Sequence, residues 1–119
     1  MNEGQKKILK IIDAMYSYCV FVGATDVAIR TRKEGNFYIV LIDSDFSERY
    51  LKKYISKLER ILNQPKDPTI EQMYWNMIGS SKFQDDNDIY VVGSMVDTAE
   101  VKIEGNHLNI VLTKKYEGK

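Results

Sequence analysis

Two strand–turn–strand patterns, each centred on a Gly-Asn pair, most constrain how this chain can fold. In the first, apolar and polar side chains alternate and then give way, after Gly35-Asn36, to a run that is apolar on both faces. In the second, Gly105-Asn106 separates two apolar runs and is suited to a tight turn. Each pattern predicts a β-hairpin. The predicted strands are residues 25–32, 37–43, 100–104 and 107–113.

Apolar residues at helical spacing predict a second layer of helices. The predicted helices are residues 4–22, a second helix that begins at the Asp45 N-cap and carries an apolar stripe over residues 50–62, and residues 68–78. Gly23 and Gly79 are suited to end the first and the third of them. For the second helix, Asp45 with Glu48 three residues later predicts an N-cap.

The stretch 89–99 fits both the two-residue period of a strand and the period of a helix. Its valines favour a strand, whereas the spacing of Ile89, Val92, Val96 and Ala99 favours a helix. We prefer the helix. The tail from Lys114 onwards is expected to be frayed.

These elements predict an α+β fold for residues 1–119 as one domain. The expected architecture is a two-layer α/β sandwich. A mixed, mostly antiparallel four-stranded sheet, made of the two hairpins, would carry three to four helices. If residues 89–99 form a strand instead, the chain would have five strands with helices on one face, which resembles roadblock- or profilin-like modules.

Composition argues against several classes of partner. Lys and Arg together number 17, as do Asp and Glu, so the chain has no net charge. Binding to nucleic acid or to an anionic membrane usually requires a basic excess, so we expect neither. No apolar run approaches the roughly 20 residues that cross a bilayer, and the polar start predicts no signal peptide. The expected compartment is the cytoplasm.

Residues for self-sufficient catalysis are scarce in the sequence. The single Cys19 permits neither an intramolecular disulfide nor a Cys-based zinc site, and its apolar neighbours predict a buried side chain. The single His107 falls at a predicted turn, far along the chain from Cys19, and is expected at the surface. The acidic stretches 43–45 and 85–88 lack the glycine and the closing glutamate of a calcium loop. We therefore predict no catalytic residue, no metal and no cofactor.

The order of elements nevertheless resembles the core of the Bergerat-fold (GHKL) ATPases, especially the compact serine-kinase anti-sigma factors. The likeness covers about half the chain. In the first stretch, a helix leads through Gly23-Ala24 into two strands, the second of which ends on Asp43. In the second, residues 89–115 look like the family's closing helix and hairpin, with Val96-Asp97 at its aliphatic-Asp position.

The resemblance implies a nucleotide site that has been lost. The family's general-base Glu would fall on Asp13, its metal-binding Asn on Ser17 and its adenine-reading Asp on Asp43. Glycines of its nucleotide loop would fall on Asp45 and Ser47. Its glycine-rich phosphate loop would be replaced by carboxylates at residues 85–88, which repel a triphosphate.

Three functions stay open from the sequence. The favoured one is a non-catalytic regulatory or signalling module that binds a protein partner or a second copy of itself, with Tyr74 and Trp75 as candidate contact residues. The second is a small-ligand sensor with a pocket between sheet and helices. The third is an ATP-binding kinase in which Asp13 acts as base, Ser17 lies near magnesium and Asp43 reads the adenine.

Overall fold

The computed structural model of the chain describes residues 3–64 and 86–115. We number the elements in chain order. They are α1 (Glu3–Phe21), β1 (Val27–Glu34), β2 (Phe37–Asp45), two 3₁₀ turns (Glu48–Tyr50 and Ile55–Lys57), α2 (Leu58–Leu62), α3 (Asp86–Met95), β3 (Thr98–Glu104) and β4 (His107–Lys115).

The four strands form one sheet in the order β1-β2-β4-β3, antiparallel throughout. The two hairpins are therefore neighbours, joined by β2 and β4, which pair from Phe37 with Lys115 to Asp45 with His107. Gly35 and Gly105 adopt φ values of 56° and 62° at the turns, a region that glycine enters without strain. Both predicted hairpins and the α+β sandwich are confirmed.

The two faces of the sheet differ in what covers them. On the inner face, alternate residues of β2 and β4 are buried against the helices. The other residues of these strands point from the outer face and are half-buried or exposed. The buried inner residues of the two central strands are Val40, Ile42, Ser44, Leu108, Ile110, Leu112 and Lys114.

Helix α1 ends as the sequence predicts. Gly23 has a φ of 87°. Its N–H donates to the Val20 carbonyl at 3.0 Å, and the Ala24 N–H donates to the Cys19 carbonyl at 2.9 Å. These two bonds form the motif in which a glycine terminates a helix and satisfies its last carbonyls.

The predicted continuous helix over residues 50–62 is wrong, because the segment is broken into 3₁₀ turns before α2 begins at Leu58. In a regular helix the Ser56 N–H would donate to the Lys52 carbonyl. Instead the Ser56 hydroxyl donates to that carbonyl at 2.8 Å, and the Ser56 N–H donates to the Leu51 carbonyl at 2.8 Å. Competition of a serine hydroxyl with the backbone is a known cause of helix distortion.

Residues 89–95 are helical, as preferred, but the strand after them starts earlier than predicted. Helix α3 ends at Met95 and β3 begins at Thr98, so Ala99 belongs to the strand. Strand β4 continues through Lys115, and Lys114 is only 8% exposed, so the expectation of fraying from Lys114 is wrong for these two residues. The Asp97 carboxylate accepts a bond from the Lys115 N–H and so holds the end of β4. The predicted helix 68–78 lies outside the described residues.

Candidate functional site

The structure does not bring the four nucleotide-site candidates together. Asp13 and Ser17 lie on α1, which packs against the inner face of the sheet. Asp43 points from the outer face, because its neighbours Ile42 and Ser44 are the buried residues of β2. The sheet therefore separates Asp43 from the two α1 residues.

Asp43 forms a surface pair with the single histidine. Its carboxylate oxygen lies 2.9 Å from Nε2 of His107, and the two side chains are 57% and 60% exposed. Exposed pairs of this kind contribute about 0–1 kcal/mol. His107 is at the surface, as predicted.

The pair borders a shallow groove of about 620 Å³ on the outer face, lined also by Lys102, Glu104 and Asn109. A serine- or cysteine-hydrolase triad needs a hydroxyl or thiol beside the imidazole. The described residues that line this groove contribute neither. The groove can therefore bind polar groups, but these residues do not form a hydrolase triad.

The Asp45 side chain links the end of β2 to the segment that precedes β1. Its carboxylate accepts bonds from the Thr25 hydroxyl, from the Thr25 N–H at 2.7 Å and from the Asp26 N–H at 3.0 Å. The hydroxyl bond, followed by the backbone bonds, holds the pKa of Asp45 below its usual value. The prediction that Asp45 caps a helix is wrong, since Ser47 precedes the first 3₁₀ turn and makes no side-chain cap bond there. Asp45 instead fixes the connection between α1 and β1.

Cys19 is a core residue, as predicted. Its side chain is fully buried, and burial raises the pKa of the thiol to about 11, against the opposing effect of a hydrogen bond with Ser44. Because the thiolate is the reactive form, this raised pKa disfavours reaction of Cys19 at neutral pH.

The outward face of α1 carries an unexpected row of apolar side chains. Leu9, Tyr16 and Val20 are each 52% exposed, and Asp13 lies between Leu9 and Tyr16. The spacing of four, three and four residues is that of a coiled-coil seam, and at 1.5 Å per residue the row is roughly 16 Å long. We call Leu9, Asp13, Tyr16 and Val20 the α1 seam.

The α1 seam is not among the contact residues predicted from the sequence, although its signal is present there. Apolar residues at helical spacing predict only the inward stripe of α1, whereas Lys6, Lys10 and Asp13 give its opposite side a polar character. A second apolar row at heptad spacing on that side was legible in the sequence.

A cleft of about 510 Å³ lies between the first half of α1 and the first hairpin. Ile8, Leu9 and Ile12 form its apolar wall, and Arg32 and Tyr38 lie on the opposite side. Arg32 also contacts Glu34 at 2.8 Å. The cleft can hold a small molecule with an apolar body and an anionic group.

The two aromatic contact candidates, Tyr74 and Trp75, lie outside the described residues. Within residues 3–64 and 86–115, no three His, Cys, Asp or Glu side chains are grouped so that they could hold a metal ion. In the same part of the chain, no helix combines the length and the apolar character needed to cross a membrane.

No protein-family model matches the sequence, and no curated protein matches it significantly.

Proposed function

We propose that this protein is a non-catalytic regulatory module that binds an amphipathic helix of a partner protein on the α1 seam. The observation that supports this is the exposure of three large apolar side chains at heptad spacing on one helix. Apolar rows of this kind on a helix surface are commonly partner-binding sites, and tyrosine is enriched where binding energy concentrates.

The chemistry of the seam defines the partner. A helix docked along it needs apolar residues at the same spacing, so that its side chains interdigitate with Leu9, Tyr16 and Val20. Asp13 would lie within that contact and requires a basic residue opposite it. A charged residue at such a position fixes the register of pairing rather than adding much affinity.

The test uses two synthetic helical peptides that differ at one position. Both carry leucines at heptad spacing, and one places Lys, the other Glu, opposite Asp13. By fluorescence anisotropy we expect the Lys peptide to bind about 3- to 10-fold more tightly, and Asp13→Lys to reverse the order.

The matched control compares two exposed tyrosines. Tyr16→Glu should abolish binding of either peptide, whereas Tyr90→Glu, on α3 and 45% exposed, should leave it unchanged. Failure of both peptides to bind would refute the proposal. So would a loss of folding stability above about 1 kcal/mol in Tyr16→Glu, since that would show the side chain to be buried within the molecule.

The proposal includes loss of nucleotide binding, which is supported by the position of Asp43 on the face opposite α1. Calorimetric titration with ATP and ADP, with and without magnesium, should give no binding heat. Micromolar binding that weakens at least tenfold in Asp43→Asn would contradict this and would support an ATP-binding enzyme.

A second candidate function is a small-ligand sensor, favoured by the cleft beside Arg32. Its volume falls in the range of small-molecule sites. Medium-chain carboxylates would raise the thermal midpoint of the wild-type protein and not that of Arg32→Gln. If no carboxylate shifts the midpoint, this candidate is refuted.

A further inference from the structure

The outer face of the sheet has an apolar centre between edges of opposite charge. Register places Arg30 beside Leu41, Leu41 beside Val111, and Val111 beside Glu100. These four residues form one row across all four strands, and we call it the central row. Its two middle residues are half-buried, and its two ends carry a positive and a negative side chain.

The row on one side of the central row continues the apolar centre, whereas the row on its other side, Ala28, Asp43, Asn109 and Lys102, is mainly polar. Ile39 is paired with Thr113 in the next row, and both are half-buried. Phe37 follows at the end of the strand and is 41% exposed. An aliphatic strip of this kind on one face of a sheet is typical of a surface that packs against another layer.

We propose that this face binds a second copy of the same chain, the two sheets stacking around a two-fold axis parallel to the strands. That axis lays β1 of one copy over β3 of the other. In the central row, Arg30 then faces Glu100 of the second copy, Leu41 faces Val111, and the same contacts recur by symmetry. The central row is thus complementary to itself in charge and in apolar character.

The neighbouring rows agree with this orientation. Ile39 would face Thr113, Asp43 would face Asn109 and Ala28 would face Lys102, so like charges do not meet in these contacts. A two-fold axis across the strands would instead lay β1 over β1 and bring the arginines of the two copies together.

Two copies could in principle also dimerise by pairing their edge strands, but both edges of the sheet disfavour this. On β3, the Asn63 side chain donates to the Ala99 carbonyl at 2.9 Å and accepts from the Ala99 N–H at 3.2 Å. The Val101 N–H donates to the Glu59 carboxylate at 3.1 Å. On β1, Arg30 and Arg32 place charges along the edge, which disfavours addition of a strand.

The size of the face sets the expected strength. Four strands about 4.8 Å apart, over about seven residues at 3.3 Å, present on the order of 450 Å² per copy. The total of roughly 900 Å² is below that of stable dimers and typical of weak ones. We expect a dissociation constant in the range of about 10–100 μM.

Sedimentation velocity between about 5 and 300 μM tests the proposal. The wild type should pass from monomer to dimer over this range. Arg30→Glu and Glu100→Arg should each weaken the dimer at least fivefold, because each brings like charges together. The double variant exchanges the charges and should recover the wild-type constant within about twofold.

Two further variants distinguish this face from the α1 seam. Leu41→Glu should abolish the dimer, whereas Tyr16→Glu, on the opposite side of the molecule, should leave it unchanged. A strict monomer at all concentrations would overturn the proposal. A dimer dissolved by Tyr16→Glu, or one not rescued in the double charge variant, would also overturn it.

Discussion

Helices α2 and α3 approach each other closely at Gly93, and replacing that glycine should be costly. A Cβ atom at this position would lie 2.8 Å from the Ile61 carbonyl oxygen and 3.0 Å from that of Leu62. These are backbone atoms of α2, so no side-chain rotation can relieve the contact. The helices α2 and α3 would have to move apart by several tenths of an ångström.

The magnitude follows from two opposing effects. Overpacking of a tight contact costs about 1–3 kcal/mol, whereas alanine is favoured over glycine inside a helix by about 1 kcal/mol. Because the obstructing atoms cannot rotate away, we expect the upper part of the packing range and a net loss of about 1–2 kcal/mol for Gly93→Ala. Gly93→Val, which adds two further carbons and a β-branch, should lose at least about 3 kcal/mol.

Urea unfolding followed by circular dichroism measures this loss directly. The thermal midpoint should fall by about 4–8 °C in Gly93→Ala. Tyr90→Ala, on the exposed side of the same helix, should change stability by less than about 0.5 kcal/mol. A Gly93→Ala protein as stable as the wild type would refute the close packing of α2 on α3.

Three further predictions follow from the buried and hydrogen-bonded groups. Cys19 should react with a thiol reagent at pH 8 at least about 100-fold more slowly in the folded protein than in urea, because burial raises its pKa to about 11; equal rates would contradict that burial. Asp45 contributes stability that is fully present above its ordinary pKa of 3.8 and is lost as pH falls through the lower pKa of the folded state. The gap in urea midpoint between wild type and Asp45→Asn should therefore be wide at pH 6 and should narrow progressively as pH falls below 3.8. A gap that stays constant with pH would exclude this linkage. Asn63→Ala removes both bonds to Ala99 and should cost about 1–2 kcal/mol in urea unfolding, with no change expected if those bonds are absent.

Most of the fold could be predicted from the sequence because its signals are local. Turn chemistry at Gly35 and Gly105, alternation along the strands and the glycine after α1 all act within a few residues. The stretch before Thr98 is ambiguous, because its valines favour a strand and the spacing of its apolar residues favours a helix. Its helical part was recognised by spacing, but the change from helix to strand at Met95–Thr98 was not.

Other features could not be predicted from the sequence. They depend on hydrogen bonds between residues that are distant along the chain, or on a side chain that competes with the backbone within one turn. Asp45 looked like a helix cap, but its partner is Thr25, on the far side of the first hairpin. The hydroxyl of Ser56 takes a carbonyl that a regular helix would use, which periodicity cannot reveal. The central row on the outer face becomes visible only when strand register is known.

The central position of β2 and β4 has a consequence for how the molecule folds. Each hairpin closes over a few residues, but the pairing that unites them joins Phe37 to Lys115 and Asp45 to His107. Closing so long a stretch of chain carries a large entropic cost before the contacts that reward it can form, and such topologies fold slowly. We expect both hairpins to form early and the pairing of β2 with β4 to limit the folding rate. Until they pair with each other, β2 and β4 each have an unpaired edge, which can pair instead with β4 or β2 of another chain. Refolding yield should therefore fall as protein concentration rises.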